Sequence, residues 1–215
     1  MTDAVPIVHV VDDDASFLTA ISRLLRANGF SVKTYSSAHK FLAHRDADVP
    51  GCVLADLQMP EMSGLDLQAA LAQTSNPLPI LFLTGHGDIP SSVQAMRDGA
   101  EDFLEKRAPK EKLLDAVNRA LARDSREREA RGRQRELRAL FDTLTDRERE
   151  VLAHVVQGRL NKQIAWDLGI HERTVKLHRT AITTKLNVQS VAELTHFTQE
   201  AGLFAELVHT FPKGQ

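Results

Sequence analysis

The chain has 215 residues, of which 42% are hydrophobic and 26% charged, and its formal net charge is −2. This length fits one large domain or two small ones, and the composition is that of an ordinary globular protein. The sequence contains no apolar run near the roughly 20 residues of a membrane-spanning helix and no signal-peptide pattern at its start. These features predict a cytoplasmic protein that makes no contact with a membrane.

The small net charge hides a difference between the two parts of the sequence. Residues 1–121 carry 16 acidic and 11 basic side chains, a net of −5, whereas residues 122–215 carry 13 acidic and 16 basic ones, a net of +3. Within 159–185 there are six basic and two acidic residues. An acidic part joined to a locally basic part suggests two domains with different partners, although plain solvated surface would also fit these counts.

Strand-like and helix-like segments alternate through the first ~120 residues. Strands are predicted at 7–11, 31–35, 51–56, 79–83 and 102–105, and helices at 15–28, 37–43, 64–74, 90–98 and 110–122. Strict alternation predicts a parallel sheet covered by helices on both faces, which is the flavodoxin-like arrangement. Cys52, the single cysteine, falls in the third strand, so we expect a buried thiol and no internal disulfide.

Apolar residues nearly disappear between 122 and 136, where charges of both signs alternate. Such charges support a solvated helix, so we interpret 122–140 as a charged helical linker that extends the fifth helix. A nucleic-acid arm and a coiled coil are the alternatives. Beyond it the pattern is helical, and Thr145 with Glu148 forms a capping box. The predicted helices are 146–157, 161–168, 172–186 and 190–200.

Aspartates follow two neighbouring strands of the predicted sheet. Asp56 ends the third strand, and the run Asp12-Asp13-Asp14 follows the first. In an open α/β sheet the carboxyl ends of the strands are where ligands bind. Carboxylates this close raise each other's pKa and destabilise the fold unless a cation lies among them. We therefore predict a Mg²⁺ site beside an aspartate that accepts a phosphoryl group.

These aspartates, with residues at later strand ends, resemble the receiver domain of two-component signalling. The matching residues are Asp12, Asp13, Asp56 with its Met59-Pro60 turn, Thr84, Phe103 and Lys106. The resemblance implies that a histidine kinase phosphorylates Asp56, whose carboxylate is the nucleophile. It also implies oxygen ligands for Mg²⁺, as this ion prefers, from Asp12, Asp13, Asp56 and the main-chain carbonyl of Gln58.

The same resemblance implies roles for the other three residues. The Lys106 ammonium would offset phosphoryl charge, and Thr84 would donate its hydroxyl to the phosphoryl group. Phe103 would rotate inward and change the face made by the fourth helix and the fifth strand. The alternatives are that Thr84 is an ordinary strand-end hydroxyl and Phe103 simple core. We expect Asp14 to be the N-cap of the first helix rather than a ligand.

One position departs from the receiver pattern. Receivers usually place a proline after the lysine, with a cis peptide bond, whereas here Arg107 follows Lys106 and Pro109 comes later. A cis bond before Arg107 would cost about 2.5–4 kcal/mol, so we expect a trans bond and a re-routed loop. The resulting hypothesis is a less rigidly placed Lys106 with an altered phosphoryl lifetime or switching efficiency.

Residues 161–180 carry a helix-turn-helix pattern. Ala165, Gly169 and Val175 occupy the small, turn and apolar positions that let two helices pack. With its flanks, the segment resembles the LuxR-type four-helix DNA-binding domain. The resemblance implies that helix 172–186 enters the major groove. Lys176, Leu177 and Thr180 would then face base edges, and phosphates would be held by Asn161, Lys162, Arg173, Thr174, His178 and Arg179.

Several residues of this segment have an alternative interpretation. Arg173 and Arg179 could be solvated surface, and His178 could pack. His171 stands where the family commonly has Ser or Thr as N-cap, and imidazole caps less well. We expect Trp166 to pack between helices rather than to stack on bases. The last predicted helix, with Leu203-Phe204 beyond it, is expected to leave apolar surface that this family uses for dimerisation.

The whole chain resembles a response regulator of the NarL/FixJ family, and the motif Thr84-Gly85-His86-Gly87-Asp88 favours the FixJ branch. The expected domains are a receiver at 5–121, the linker at 122–140 and a LuxR-type domain at 141–206. The resemblance implies a phosphorylation-activated transcription regulator, a phosphoacceptor rather than an enzyme. Its expected partners are a sensor histidine kinase, promoter DNA, a second copy of the chain and RNA polymerase.

Other function classes fit the sequence less well. A phosphatase of the haloacid-dehalogenase type needs a second acid two residues after the nucleophile, where this chain has Gln58. A nucleotide-binding enzyme would have a glycine-rich turn after the first strand, where this chain has three aspartates. The remaining alternative is a phosphorylation-independent regulator whose receiver is a passive dimeriser.

Overall fold

A computed structural model describes residues 4–85 and 89–210. The motif residues His86, Gly87 and Asp88 therefore lie outside the described residues. The chain divides into two compact units, Met1–Arg128 and Glu129–Gln215. Within the described ranges, none of the helices combines the length and the apolar character needed to span a lipid bilayer.

The first unit is a five-stranded parallel sheet with the strand order β2-β1-β3-β4-β5. Its strands are β1 Ile7–Val11, β2 Ser31–Tyr35, β3 Gly51–Asp56, β4 Ile80–Thr84 and β5 Asp102–Glu105. The helices are α1 Ala15–Ala27, α2 Ala38–His44, α3 Gly64–Ala72, α4 Ile89–Arg97 and α5 Lys110–Asp142. Both β3 and β4 are buried along their whole length, as strands covered on both faces must be. The predicted flavodoxin-like arrangement is confirmed.

Strand register decides which side chains meet at the carboxyl edge of the sheet. Val11 pairs with Ala55, so Asp12 follows β1 at the level where Asp56 ends β3. Thr84 pairs with Glu105, which brings the residue after β5 to the same edge. Asp14, two residues after Asp12, is the N-cap of α1. Its side chain accepts hydrogen bonds from two backbone N–H groups of that helix, as predicted.

Helix α5 has 33 residues and runs through the whole charged segment. Its first charged turns are only partly solvated, contrary to our interpretation. Asp124 is 1% exposed and accepts hydrogen bonds from the backbone N–H of Gly51 and from Arg128, both at 2.8 Å. Arg128 in turn donates to the carbonyls of Asp48 and Val49. The alternating charges of the sequence gave no sign that Asp124 and Arg128 are held by hydrogen bonds rather than exposed to solvent.

The second unit is helical, without strands, over the residues that the structure describes. Its helices are α6 Asp146–Val156, α7 Asn161–Asp167, α8 Glu172–Leu186, α9 Val191–Glu200 and α10 Phe204–Thr210. The capping box of Thr145 and Glu148 at the start of α6 is confirmed. The end of α5 also belongs to this unit, since Leu137 and Phe141 lie in its core.

Helix α10 was not predicted, and it changes the expected dimer surface. Leu194, Phe197 and Leu203 are buried in the core of the unit together with Leu207 of α10. The expectation that α9 and the residues beyond it leave an apolar surface is wrong for these side chains. The reason is that the chain turns at Gly202 (φ +70°) and α10 packs back on the unit. Among the apolar residues of α9, Val191 stays exposed.

Candidate functional site

Three carboxylates meet at the carboxyl edge of the first unit's sheet. One oxygen from each of Asp12, Asp13 and Asp56 lies within 4.8 Å of the others, and we call these residues the acidic cluster. Asp12 and Asp56 are buried, at 1% and 9% exposure, while Asp13 is open to solvent. Gln58, whose carbonyl was the fourth expected ligand, follows shortly after β3, and its role stays a prediction.

Lys106 extends into this cluster from the end of β5. Its Nζ lies 2.6 Å from Oδ2 of Asp12 and 3.2 Å from Oδ2 of Asp56. The ammonium also lies over the Phe17 ring, 4.5 Å from the centroid, which adds a cation–π attraction. The described residues contain no cis peptide bond, so the trans bond expected before Arg107 is confirmed. Lys106 therefore reaches both carboxylates without the proline that receivers usually carry.

The charges of the cluster shift one another's protonation. Burial raises the pKa of Asp12, and repulsion from Asp56 acts in the same direction, while the Lys106 ammonium and the Asp14 N–H oppose the rise. Burial lowers the pKa of Lys106, but its hydrogen bonds to the two carboxylates outweigh this, and the net pKa is raised. Three carboxylates and one ammonium leave a formal charge of −2. A set of oxygen donors with one solvent-facing member suits Mg²⁺, which keeps several water ligands.

The switch candidates lie on the neighbouring strands. Thr84 is the last residue of β4 and is 2% exposed, and its carbonyl accepts a hydrogen bond from the Lys106 N–H at 2.8 Å. Phe103 is partly buried on β5, with its ring centroid 6.1 Å from that of Phe82. The structure thus brings Thr84 beside the lysine of the cluster and places Phe103 against the sheet core.

Two residues of this site were missed by sequence reasoning. A Cβ on Gly64 would lie 2.4 Å from the Asp56 carbonyl oxygen and 2.8 Å from Cε1 of Phe82, so only hydrogen fits there. Phe17, on α1, faces the Lys106 ammonium. The close approach of Gly64 to Asp56 appears only when the strand and the helix are packed.

The second unit contains the helix-turn-helix formed by α7 and α8. Gly169 takes φ +63° in the turn, and Ile164 and Val175 are fully buried between the helices, as predicted. The three side chains expected to face bases, Lys176, Leu177 and Thr180, are exposed on α8. The opposite side of α8 is buried through Val175, Ile182 and Leu186. Helix α8 therefore presents the predicted reading surface to solvent.

The residues expected to hold phosphates lie at the start of α7 and along α8 from its start to its middle. Lys162 and Arg173 are exposed, whereas Asn161, Thr174, His178 and Arg179 are partly buried. Arg179 donates a hydrogen bond to Oδ1 of Asn161 at 3.0 Å, so the structure brings these two together. His171 is the N-cap of α8 and its side chain makes no capping hydrogen bond, as expected for imidazole.

Two expectations for this unit are corrected by the structure. Trp166 is 87% exposed and does not pack between helices, because the short α7 buries its opposite side through Ile164. The number of basic residues in 159–185 also overstates the positive charge available to bind DNA, because some of these residues are paired with carboxylates. Lys185 pairs with the buried Glu148 at 2.7 Å, and Arg159 pairs with Asp167 at 3.1 Å.

Comparisons with known proteins agree with both sites. Residues 8–118 match the response regulator receiver domain, and residues 142–198 match the bacterial regulatory proteins of the luxR family. The chain is 44% identical to the response regulator protein TmoT of Ectopseudomonas mendocina over 93% of this chain and 90% of that one. It is 38% identical to the transcriptional regulatory protein FixJ of Rhizobium meliloti (strain 1021), over 91% and 96% of the two chains.

A solved structure of the response regulator StyR covers 92% of this chain and 100% of its own, with a TM-score of 0.78 and 47% identity. The receiver match coincides with the sheet that holds the acidic cluster, and the luxR match includes α7 and α8. The chain therefore belongs to the NarL/FixJ family of two-component response regulators: it is a transcription regulator with a receiver domain and a LuxR-type DNA-binding domain, and its partners are a histidine kinase and DNA.

Proposed function

We propose that phosphorylation of Asp56 by a histidine kinase switches this regulator from a monomer that binds DNA weakly to a dimer that binds its promoter. The observation that carries the proposal is the acidic cluster with the Lys106 ammonium 3.2 Å from Asp56. The transfer of a phosphoryl group to an aspartate requires a nucleophilic carboxylate, further carboxylates that bind a cation, and one fixed ammonium.

In the proposed reaction an oxygen of Asp56 attacks the phosphorus of a phosphohistidine on the kinase. The new P–O bond forms as the P–N bond breaks, and the leaving imidazole takes up a proton. Asp12, Asp13, Asp56 and the Gln58 carbonyl would hold Mg²⁺, which supplies positive charge beside the phosphoryl oxygens. Lys106 would neutralise a further phosphoryl oxygen. Later attack of water on the same phosphorus would restore the carboxylate and release inorganic phosphate.

The phosphoryl group would be sensed by Thr84, whose hydroxyl would turn toward it and draw the following loop inward. Phe103 would then move toward the space that is freed, and the face of α4 and β5 would change. Val93 and Arg97 of α4 are exposed on this unit, and we assign this face to dimerisation of the receiver. The two LuxR-type domains of the dimer would then bind two DNA half-sites. Because the dimer holds the domains together, binding of the first raises the effective concentration of the second at its half-site, and the affinity for DNA rises.

On the DNA, we propose that α8 enters the major groove and that Lys176, Leu177 and Thr180 contact base edges. The DNA phosphates would be contacted from the start of α7 and from the first half of α8, by Asn161, Lys162, Arg173, Thr174, His178 and Arg179. We further propose that the DNA-bound dimer contacts RNA polymerase. Because its partners are chromosomal DNA and the phosphorylated histidine domain of a kinase, we place the protein in the cytoplasm.

Beryllofluoride with Mg²⁺ mimics the phosphoryl group and tests this proposal. We expect the wild-type chain to dimerise and to bind its footprinted promoter more tightly when the mimic is added, with Asp56→Asn as the unresponsive control. Mass spectrometry with acetyl phosphate should find a labile adduct at residue 56 in the wild type alone. A receiver that acts as a passive dimeriser predicts the opposite result, in which oligomeric state and DNA affinity ignore the mimic.

A further inference from the structure

We propose that Gln68 of α3 is a positioning residue that anchors α4 at its C-terminal end. We further propose that it sets the equilibrium between the two arrangements of the α4 and β5 face. The anchor itself follows from contacts within the first unit. Its effect on switching rests on the proposed function, in which phosphorylation moves the loop before α4.

The α4 side chains that the structure describes bury little apolar surface. Ala95 is 0% exposed and is the one fully buried residue among the α4 residues whose side chains are described. Val93 and Met96, the larger apolar side chains of the helix in that set, are 43% and 48% exposed. A helix with so little buried apolar surface gains little from packing, so single polar contacts carry a large share of its attachment.

Gln68 supplies one of these contacts at Ala95 itself. Its Nε2 donates a hydrogen bond to the Ala95 carbonyl at 3.1 Å, and the Gln68 side chain is buried at 6% exposure. The same carbonyl accepts the N–H of Ala100 at 3.0 Å, which closes the end of the helix. Gln68 therefore holds the last turn of α4, whereas the first turn begins five residues after Thr84. An arrangement that moves the last turn of α4 would have to break this bond.

The Gln68 amide is only half satisfied in this arrangement. None of the described residues donates a hydrogen bond to its Oε1, which is buried. A cavity of about 230 Å³ borders Gln68 and the residues just after α4, Asp98 and Gly99. Packed side chains therefore do not fill the space on this side of the helix end.

These observations give Gln68 a direction of action. Its donor bond stabilises the arrangement of α4 described here. Removing the donor should loosen the last turn of α4 and move the receiver toward the dimer-forming arrangement even without a phosphoryl group. Loss of one buried hydrogen bond corresponds to a factor of about five in an equilibrium constant.

The test uses Gln68→Met in the full chain, since methionine is similar in length and cannot donate. Gln73→Met is the matched control, because Gln73 ends the same helix and is exposed. Amide hydrogen exchange should be about five-fold faster at residues 98–100 in Gln68→Met and unchanged in the control and in α1 of both variants. Unchanged exchange at residues 98–100 would overturn the anchor. Gln68→Glu, which also loses the amide donor, gives the same readout if the methionine variant unfolds.

Sedimentation of the unphosphorylated proteins tests the second part. Each of the two protomers gains a factor of about five in the dimer-forming arrangement, so we expect the dimer dissociation constant of Gln68→Met to be about 25-fold lower than that of the wild type. If amide exchange is faster but the dimer dissociation constant is unchanged, Gln68 does anchor α4, and the proposed effect of this anchor on switching is wrong. If the wild type fails to dimerise with beryllofluoride, the proposed function fails instead, and the exchange result still decides the anchor by itself.

Discussion

The ammonium nitrogen of Lys106 lies 2.6 Å from Oδ2 of Asp12. Because Asp12 is almost fully buried, this ammonium takes the place of solvent as the partner of its negative charge. A divalent cation bound by the same carboxylate would compete with the lysine for that oxygen. The pair therefore connects the stability of the empty cluster to its affinity for Mg²⁺.

Replacing the lysine should expose this competition. We expect Lys106→Met to lower the free energy of unfolding of the receiver by about 2 kcal/mol without Mg²⁺, since two carboxylates lose their cation. Saturating Mg²⁺ should stabilise the variant more than the wild type, because no ammonium has to be displaced. Urea denaturation with and without Mg²⁺ measures both effects, with the exposed Lys110→Met as control. An equal Mg²⁺ effect in both proteins would contradict the competition.

His9 should make the receiver sensitive to acid. It is 1% exposed, with Nδ1 3.1 Å from the Tyr35 hydroxyl, and burial lowers its pKa from 6.5 to about 4, helped by the positive charges of Lys33 and Arg45. Between these values the unfolded chain binds a proton that the folded chain does not. Stability is therefore expected to fall by about 3 kcal/mol as the pH decreases from 6.5 to 4.

Denaturation curves of His9→Gln across this pH range check that expectation. The variant should lose less stability than the wild type on acidification, while His196→Gln, which removes an exposed histidine of α9, should follow the wild type. Parallel pH profiles for the wild type and His9→Gln would mean that His9 does not stay neutral in the folded chain.

Alanine substitutions at Gly64 and at Gly132 should change the stability of the protein in opposite directions. Gly64→Ala places a methyl group against the Asp56 carbonyl, so we expect a loss of more than about 2 kcal/mol and slower phosphorylation at Asp56. Gly132 lies within α5 with no neighbouring atom that a Cβ would meet, so Gly132→Ala should add up to about 1 kcal/mol of helix stability. Thermal unfolding and acetyl phosphate labelling measure the two effects. The same sign in both variants would refute the packing argument.

The start of α8 should be improved by a better cap. His171 makes no side-chain capping bond, so His171→Ser is expected to stabilise the first turn by about 1 kcal/mol, because the hydroxyl can accept a free N–H there. Amide exchange at Arg173 and Thr174 measures the gain. His171→Ala supplies the control and should bring no protection. Equal exchange in the serine and alanine variants would show that the cap position is already satisfied.

Lys176 and Lys162 should separate base reading from phosphate contact. On a footprinted promoter, Lys176→Ala is expected to cost about 1–3 kcal/mol at one base pair and to relax the preference there. Lys162→Ala should weaken binding to all sequences alike and reduce the salt dependence of log K by about 0.9. Anisotropy titrations at several salt concentrations, on the site and on single-base variants, measure both. A sequence-independent loss in Lys176→Ala would remove it from the reading surface.

Much of the site was predictable because its residue types come at strand ends. Asp12, Asp56 and Thr84 each follow or end an apolar run, and parallel strands bring such ends to one edge. The contacts of Gln68 and Asp124 were not predictable in this way. Each is a polar residue on a helix, where polar side chains usually face solvent, and only the packed neighbour decides whether it is buried.

The second unit shows the same division between local and distant effects. Spacing within 161–180 was enough to predict the helix-turn-helix, since Ala165, Gly169 and Val175 act through contacts only a few residues away. Whether α9 is covered depended on α10, which lies farther along the chain. The burial of α9 could not be read from its local pattern.

The sequence by itself determined the order of the strands and helices, the carboxylates at the sheet edge and the reading helix, because hydrophobic period, caps and turn residues act over a few neighbours. Tertiary structure alone decided which charges are buried, and it paired Lys106 with Asp12 and Glu148 with Lys185. The physical reason is that the cost of a charge depends on its surroundings, and those surroundings come from residues distant in the chain.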